Sequence, residues 1–95
     1  LDCVLDVPFG PTRDETLDIF PAAEPNAPAL MFIHGGYWRI LSNKEFSLVA
    51  RGPVARGVTV VVTNYSLCPK VSLAEITRQS RAAVSWVVNN IARYN

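Results

Sequence analysis

Ala29-Leu30-Met31-Phe32-Ile33 runs straight into His34-Gly35-Gly36-Tyr37-Trp38, and the reading of this join decides the fold. An unbroken apolar run suits a strand covered on both faces, as in a parallel sheet. Two consecutive glycines then let the backbone turn sharply and come close to a ligand. Amides in such a turn point out of the carboxyl end of the strand, where open α/β sheets place their ligands. Preformed N–H donors suit the holding of a developing negative charge, because nothing has to reorganise as the charge appears. The glycines alone also fit an ordinary tight strand-to-helix turn, so the flanks must decide.

Downstream, Val58-Thr59-Val60-Val61-Val62-Thr63 is a second run suited to a buried strand. Residues 34–57 lie between the two, room enough for a crossover helix. Ser42 and Glu45 have the spacing of a capping box, with Leu41 and Phe46 placed as a hydrophobic staple. Phe46, Val49 and Ala50 continue an apolar face, Pro53 is expected to break or kink the helix, and Gly57 to cap it. Ser72 and Glu75 repeat the capping-box spacing, with Val71 and Ile76 as staple. Leu73, Ile76, Ser80, Ala83, Val84, Val87, Val88 and Ile91 then keep helical spacing.

Upstream, Pro8, Pro11, Pro21, Pro25 and Pro28 punctuate short strands joined by loops. Val4–Val7 is one. Thr16–Phe20 is another, with Leu17 and Ile19 on one face and Thr16, Asp18 and Phe20 on the other, expected to be half-buried in an antiparallel pairing. The segment between them, with Phe9-Gly10-Pro11 and Arg13-Asp14, reads as a hairpin connection. The predicted order is β-β-β-α-β-α. A parallel architecture expects a strand after the last helix, so residues 1–95 are read as the N-terminal segment of one larger α/β domain.

Composition narrows the function. The chain has 95 residues, 49% hydrophobic and 18% charged, which demands a core and excludes long-range disorder. A net charge of +1 leaves no basic field for nucleic acid. The longest apolar run, Ala27–Ile33, is far short of the roughly 20 residues of a membrane span. Cys3 and Cys68 lie far apart and read as the reduced thiols of a cytoplasmic protein, with a disulfide between them as the alternative. There is a single histidine, and nothing has metal-ligand spacing. The first parallel βα turn lacks Gly-x-Gly-x-x-Gly, which argues against a nucleotide-binding domain.

A buried strand, then His-Gly-Gly-x-Trp, then a capped helix resembles the oxyanion loop of α/β-hydrolase esterases. Asn64-Tyr65-Ser66-Leu67-Cys68-Pro69 is similar to the Asn-Tyr-x-Leu-x-Pro segment of the same enzymes. His34–Arg39 together with Cys68–Ile76 resembles the arylformamidase, or kynurenine formamidase-like, branch. The resemblance covers most of the chain, from Leu5 to Tyr94. It implies the N-terminal part of an α/β-hydrolase fold with a mostly parallel sheet, in which Val58–Thr63 lies between Thr16–Phe20 and Ala29–Ile33. It implies a serine hydrolase acting on a small carboxylic ester or N-formyl amide, without metal or cofactor.

Residue by residue, the resemblance puts the donor N–H groups at Gly36 and Tyr37 and a conformational hinge at Gly35. The catalytic histidine of the fold follows the serine and the acid, so His34 is in the wrong place for a base and is expected to fix the loop. Trp38 and Tyr65 are candidate substrate contacts. Each has an alternative as a packed aromatic, under the loop for Trp38 and in the core for Tyr65. None of the serines has Gly-x-Ser-x-Gly surroundings, and Cys68 has no base near it in sequence, so the segment carries no nucleophile. The expected partners are a small-molecule substrate and the remainder of the hydrolase domain, with neither nucleic acid nor membrane; a homo-oligomer is left open. The alternative of another class is a catalytically inactive α/β-hydrolase-fold binding module, which would have no need of Gly35-Gly36.

Overall fold

The computed structural model describes residues 2–36 and 38–94. Its elements follow the predicted order: β1 (Val4–Pro8), β2 (Thr16–Phe20), β3 (Ala29–Ile33), a 3-10 helix (Asn43–Ala50) running into α1 (Arg51–Ala55), β4 (Thr59–Thr63), and α2 (Leu73–Asn90) with a final 3-10 turn (Ile91–Tyr94). The strands form one sheet in the order β1-β2-β4-β3, which places β4 between β2 and β3 as expected. The sheet is mixed. β1 and β4 each pair antiparallel with β2, and β3 pairs parallel with β4 from Ala29↔Thr59 to Ile33↔Thr63.

The helices cover opposite faces. Leu17, Ile19 and Val61 pack with Val87 of α2, joined by Trp86, Ile91 and Tyr94. Phe20, Val60 and Val62 pack with Ala50, joined by Phe46, Val49 and Val54. Central β4 is therefore buried along its whole length. Val60, Val61 and Val62 have no exposure, and each stabilises the fold by about 1.5–3 kcal/mol relative to an exposed side chain.

Several local expectations need correction. β2 is buried on both faces rather than half-buried. Its Asp18 has no exposure because Lys44 Nζ donates to both carboxylate oxygens at 2.9 Å and the Asp6 N–H donates at 2.8 Å. A buried carboxylate needs this kind of pairing. Lys44 also reaches Asp6 at 2.9 Å. Partial burial opposes its charge, but the two carboxylates outweigh that and hold its pKa above the ordinary lysine value. β3, expected to be covered on both faces, is an edge strand among the described residues, and Leu30 and Ile33 are nearly half exposed.

Pro53 does not stop the first helix, which continues to Ala55. The preceding turns are 3-10, so Pro53 falls in the first turn of the α segment, where its missing N–H has no intrahelical partner to lose. The stop comes at Gly57, with φ +85°. Its N–H donates to Val54 O at 3.1 Å and the Val58 N–H to Pro53 O at 2.9 Å, the two bonds of a Schellman cap. Val58, read as strand, belongs to this cap.

The Ser42–Glu45 capping box is complete: the Lys44 N–H donates to Ser42 Oγ at 3.2 Å, and the Ser42 N–H to Glu45 Oε1 at 2.6 Å. The second box is only half made. Ser72 Oγ accepts from the Glu75 N–H at 3.1 Å, but the Glu75 carboxylate turns to Arg78 and Gln79. The Arg78 guanidinium offers the carboxylate a full positive charge and two bonds, one to each oxygen, where the backbone amide offers one bond.

Candidate functional site

The chain leaves the carboxyl end of β3 at His34, and Gly36 is then tied to the residues from Arg39 on. The Arg39 and Ile40 N–H groups both donate to Gly36 O, at 3.1 and 3.2 Å. Gly36 has φ +123°, and a Cβ there would overlap the Ile40 carbonyl oxygen. The conformational demand for glycine falls on Gly36 and not on Gly35, the expected hinge, where a Cβ would meet nothing. Trp38 and Leu41 also sit in the left-handed region, at φ +60° and +74°, uncommon for side chains of this size. Among the described residues the Gly36 N–H has no backbone acceptor. Tyr37, the expected second donor, lies outside the described residues.

The buried half of the loop is held by aromatic rings. The His34 side chain is 2% exposed and stacks on Tyr65, ring centroids 4.3 Å apart and 8° from parallel, and on Phe46 at 5.6 Å and 12°. His34 Nδ1 is 2.6 Å from Gly35 O. A carbonyl can only accept, so Nδ1 carries a proton and donates it. Nε2 is buried with no partner among the described residues. The Tyr65 hydroxyl donates to His34 O at 3.0 Å, and Tyr65 is 3% exposed. Tyr65 is thus packed in the core of this segment, as one of its two readings has it. Burial, and then the nearby Cys68, push the Tyr65 pKa above the ordinary tyrosine value.

The loop after β4 forms the opposite wall. Asn43 ties the start of the first helix to it: its N–H donates to Asn64 Oδ1 at 3.2 Å and its Nδ2 to Val62 O at 3.1 Å. Gln79 of α2, with no exposure, accepts the Ser66 N–H at 2.8 Å and donates to Ser66 Oγ at 3.0 Å and Glu75 Oε2 at 2.9 Å. Arg78 bridges Glu75 to the buried Glu15 beside β2. The Cys68 N–H donates to Trp38 O at 2.8 Å, which joins the two loops directly, and the Cys68–Pro69 peptide is cis.

Between the walls lies an open cleft of about 430 Å³ lined by Gly36, Arg39, Ile40, Cys68 and Pro69. A second cleft of about 210 Å³ is lined by Trp38, Arg39, Cys68 and Leu73. Trp38, 47% exposed, lines the second cleft. Cys3 and Cys68 are both free thiols. No cluster among the described residues is able to hold a metal ion, and no described helix is long and apolar enough to cross a membrane.

Sequence reasoning brought His34, Gly36 and Trp38 to one loop and missed the residues that fix its surroundings. Gln79 left a signal, a polar residue on the buried stripe Ile76-Gln79-Ala83-Val87. Asn43 left none, since it follows a capping serine where any polar residue passes as solvated.

No protein-family model matches the chain. It is 34% identical over 87 residues to the kynurenine formamidase of Danio rerio, covering 90% of this chain and 30% of that protein. It is 34% identical over 96 residues to esterase LipQ of Mycobacterium tuberculosis, covering 94% of this chain and 23% of that protein. A crystal structure from Silicibacter sp., described as a thioesterase, superposes with TM-score 0.88 at 30% identity, over 92% of this chain and 33% of that one. The chain has part of the α/β-hydrolase fold that these proteins share. It spans about 30% of the length of the curated formamidases it matches. The curated proteins it is similar to include formamidases and esterases.

Proposed function

We propose that residues 1–95 form the N-terminal segment of a single α/β-hydrolase domain and supply the oxyanion hole of a serine hydrolase for small esters or N-formyl amides. The observation that carries this reading is the Gly36 N–H. It lies just beyond the carboxyl end of β3, on a residue lining the cleft, and has no backbone acceptor among the described residues. Its position is set by a turn that only glycine fits.

In the proposed reaction a serine from outside the segment attacks the carbonyl carbon. The carbonyl oxygen gains negative charge and accepts hydrogen bonds from the Gly36 and Tyr37 amides, the leaving group departs, and water releases the acyl or formyl group. The donors are fixed before the charge appears, so they stabilise the transition state more than bound substrate. His34 supports the loop through its ring stack, and its Nδ1 proton is committed to Gly35 O. The formamidase and esterase relatives favour a hydrolase over an inactive binding module. The ester or formamide preference rests on those relatives alone.

The test uses the full-length protein that carries this segment. It should hydrolyse p-nitrophenyl acetate or an N-formyl aniline, and a fluorophosphonate should label one serine outside residues 1–95 and stop turnover. A folded protein that neither cleaves these substrates nor takes the label is a binding module.

A further inference from the structure

We propose that Asn43 is a positioning residue for the Gly36 amide: it pegs the exit of the loop after β3 to the central strand, so that the amide is held at a fixed place beside the cleft. The role rests on the oxyanion reading of that amide, while the anchoring is independent geometry. Among the described residues of 35–42 none is buried, and a buried residue bounds the stretch on each side, His34 at its entry and Asn43 at its exit. An exposed loop takes its place from the scaffold at its two ends. At the entry, Tyr65 holds both the carbonyl and the ring of His34. At the exit, Asn43 Nδ2 donates to Val62 O at 3.1 Å, inside β4, and the Asn43 N–H donates to Asn64 Oδ1 at 3.2 Å.

Both anchors therefore bear on β4 and the loop that follows it. The N–H groups of a helix's first turn have no intrahelical acceptor. That of Asn43 is taken up by a side chain from another loop, and Asn64 is itself fixed, because its N–H donates to Thr16 O of β2 at 2.9 Å. Phe46 stacks on His34 from the same helix, which links exit to entry. Between Asn43 and Gly36 there is little slack. The Ser42 N–H and hydroxyl both donate to Glu45 Oε1, at 2.6 and 3.1 Å. The Ile40 N–H donates to Gly36 O at 3.2 Å, and Leu41 between them sits in the left-handed region at φ +74°. A shift at Asn43 is thus passed to Gly36 through Ser42 and Leu41 rather than absorbed.

The experiment uses the full-length protein labelled with ¹⁵N-glycine. Asn43→Asp keeps the shape of the side chain and replaces the donor that faces Val62 O with an acceptor. It should move the Gly36 amide resonance, lower kcat on p-nitrophenyl acetate about tenfold and change KM much less, since a reacting group displaced by about 1 Å loses about a hundredfold. A lower Tm with the Gly36 resonance and kcat unmoved at temperatures well below it is the mark of a side chain that only holds the fold, and overturns the proposal.

A double variant separates the two roles further. In a Gly36→Ala background, Asn43→Asp should add less than about threefold to the loss of kcat, because both act through one amide. Losses that multiply in full overturn the proposal. Asn64→Ala frees the Asn43 N–H from a half-buried position and should reproduce the moved resonance and the lower kcat. Where Asn43→Asp does not fold this variant decides, and an unmoved Gly36 resonance in it overturns the proposal. A moved resonance in a protein that cleaves neither p-nitrophenyl acetate nor an N-formyl aniline keeps the peg and removes the hydrolase reading. Hydrolysis by Asn43→Asp at the wild-type rate keeps that reading and removes the peg.

Discussion

The Tyr65 hydroxyl donates to the backbone carbonyl of His34 at 3.0 Å while its ring lies 4.3 Å from the His34 ring, so one side chain holds both the main chain and the side chain of the same residue. Tyr65→Phe keeps the stack and deletes the donor, leaving a buried carbonyl unpaired. The expected loss is about 1–3 kcal/mol, read from urea unfolding of the full-length protein. A loss near zero would mean that solvent reaches this carbonyl.

The two adjacent glycines should respond differently to the same substitution. Gly36→Ala forces a Cβ onto the Ile40 carbonyl at φ +123°, so the donor amide must move. On the proposed reading, the full-length protein should lose about a hundredfold in kcat with a smaller change in KM, as for removal of one oxyanion donor. Gly35→Ala meets open space and should cost much less. Equal effects from steady-state kinetics would remove Gly36 from the proposed role.

Gln79→Leu should act at a distance. It fills the same space but leaves the buried Ser66 N–H without its acceptor, a cost of about 1–3 kcal/mol in thermal unfolding. The loop it releases carries Cys68 and Pro69, one wall of the cleft. KM should therefore rise more than kcat falls.

Acid should loosen the start of α2 late. Arg78, then Gln79, hold the Glu75 carboxyl at about 2, below its ordinary 4.5. Because the folded value is the lower one, the stabilisation from ionised Glu75 is complete above pH 4.5 and fades as pH falls toward 2. Carboxyl NMR shifts of Glu75 through that window should titrate well below those of an exposed glutamate. In Arg78→Gln the titration should move back up. Alkali acts on Tyr65 with the opposite sense. Its raised value means that the folded state keeps its phenol proton above pH 10, and the associated stability is lost as pH rises through the folded value.

Residues 1–95 expressed alone should self-associate. Leu30 and Ile33 are nearly half exposed on β3, which has one free edge among the described residues, and Val84 and Val88 stand out from α2. An exposed apolar strand edge templates pairing with another chain. Light scattering on the isolated segment should report this. A monomer with strong amide protection at Leu30 and Phe32 would contradict it.

Much of the fold was legible because its signals are local. β2 and β3 were placed to the residue, and β4 to within one, by apolar and β-branched runs. The Ser42 box and the Gly57 stop were readable from single residues whose chemistry has few other uses. What was not legible depends on pairing across the chain. Asp18 looks like a solvent-facing strand residue until Lys44 arrives from another element. Glu75 has the spacing of a capping box, but Arg78 and Gln79 compete for its carboxylate. In the site the glycine pair was evident, but which glycine is indispensable depends on Ile40, which only the turn brings near.

The division of the β3 loop into a buried inner half and an open outer half has a consequence for anyone wishing to change what the protein accepts. His34, Asn43 and Tyr65 are shared by neighbouring elements, so altering them disturbs several at once. Trp38, Arg39 and Ile40 are exposed, and Cys68 and Leu73 meet them across the clefts. A randomised library confined to these five positions would explore new selectivities while the scaffold that presents them stays intact.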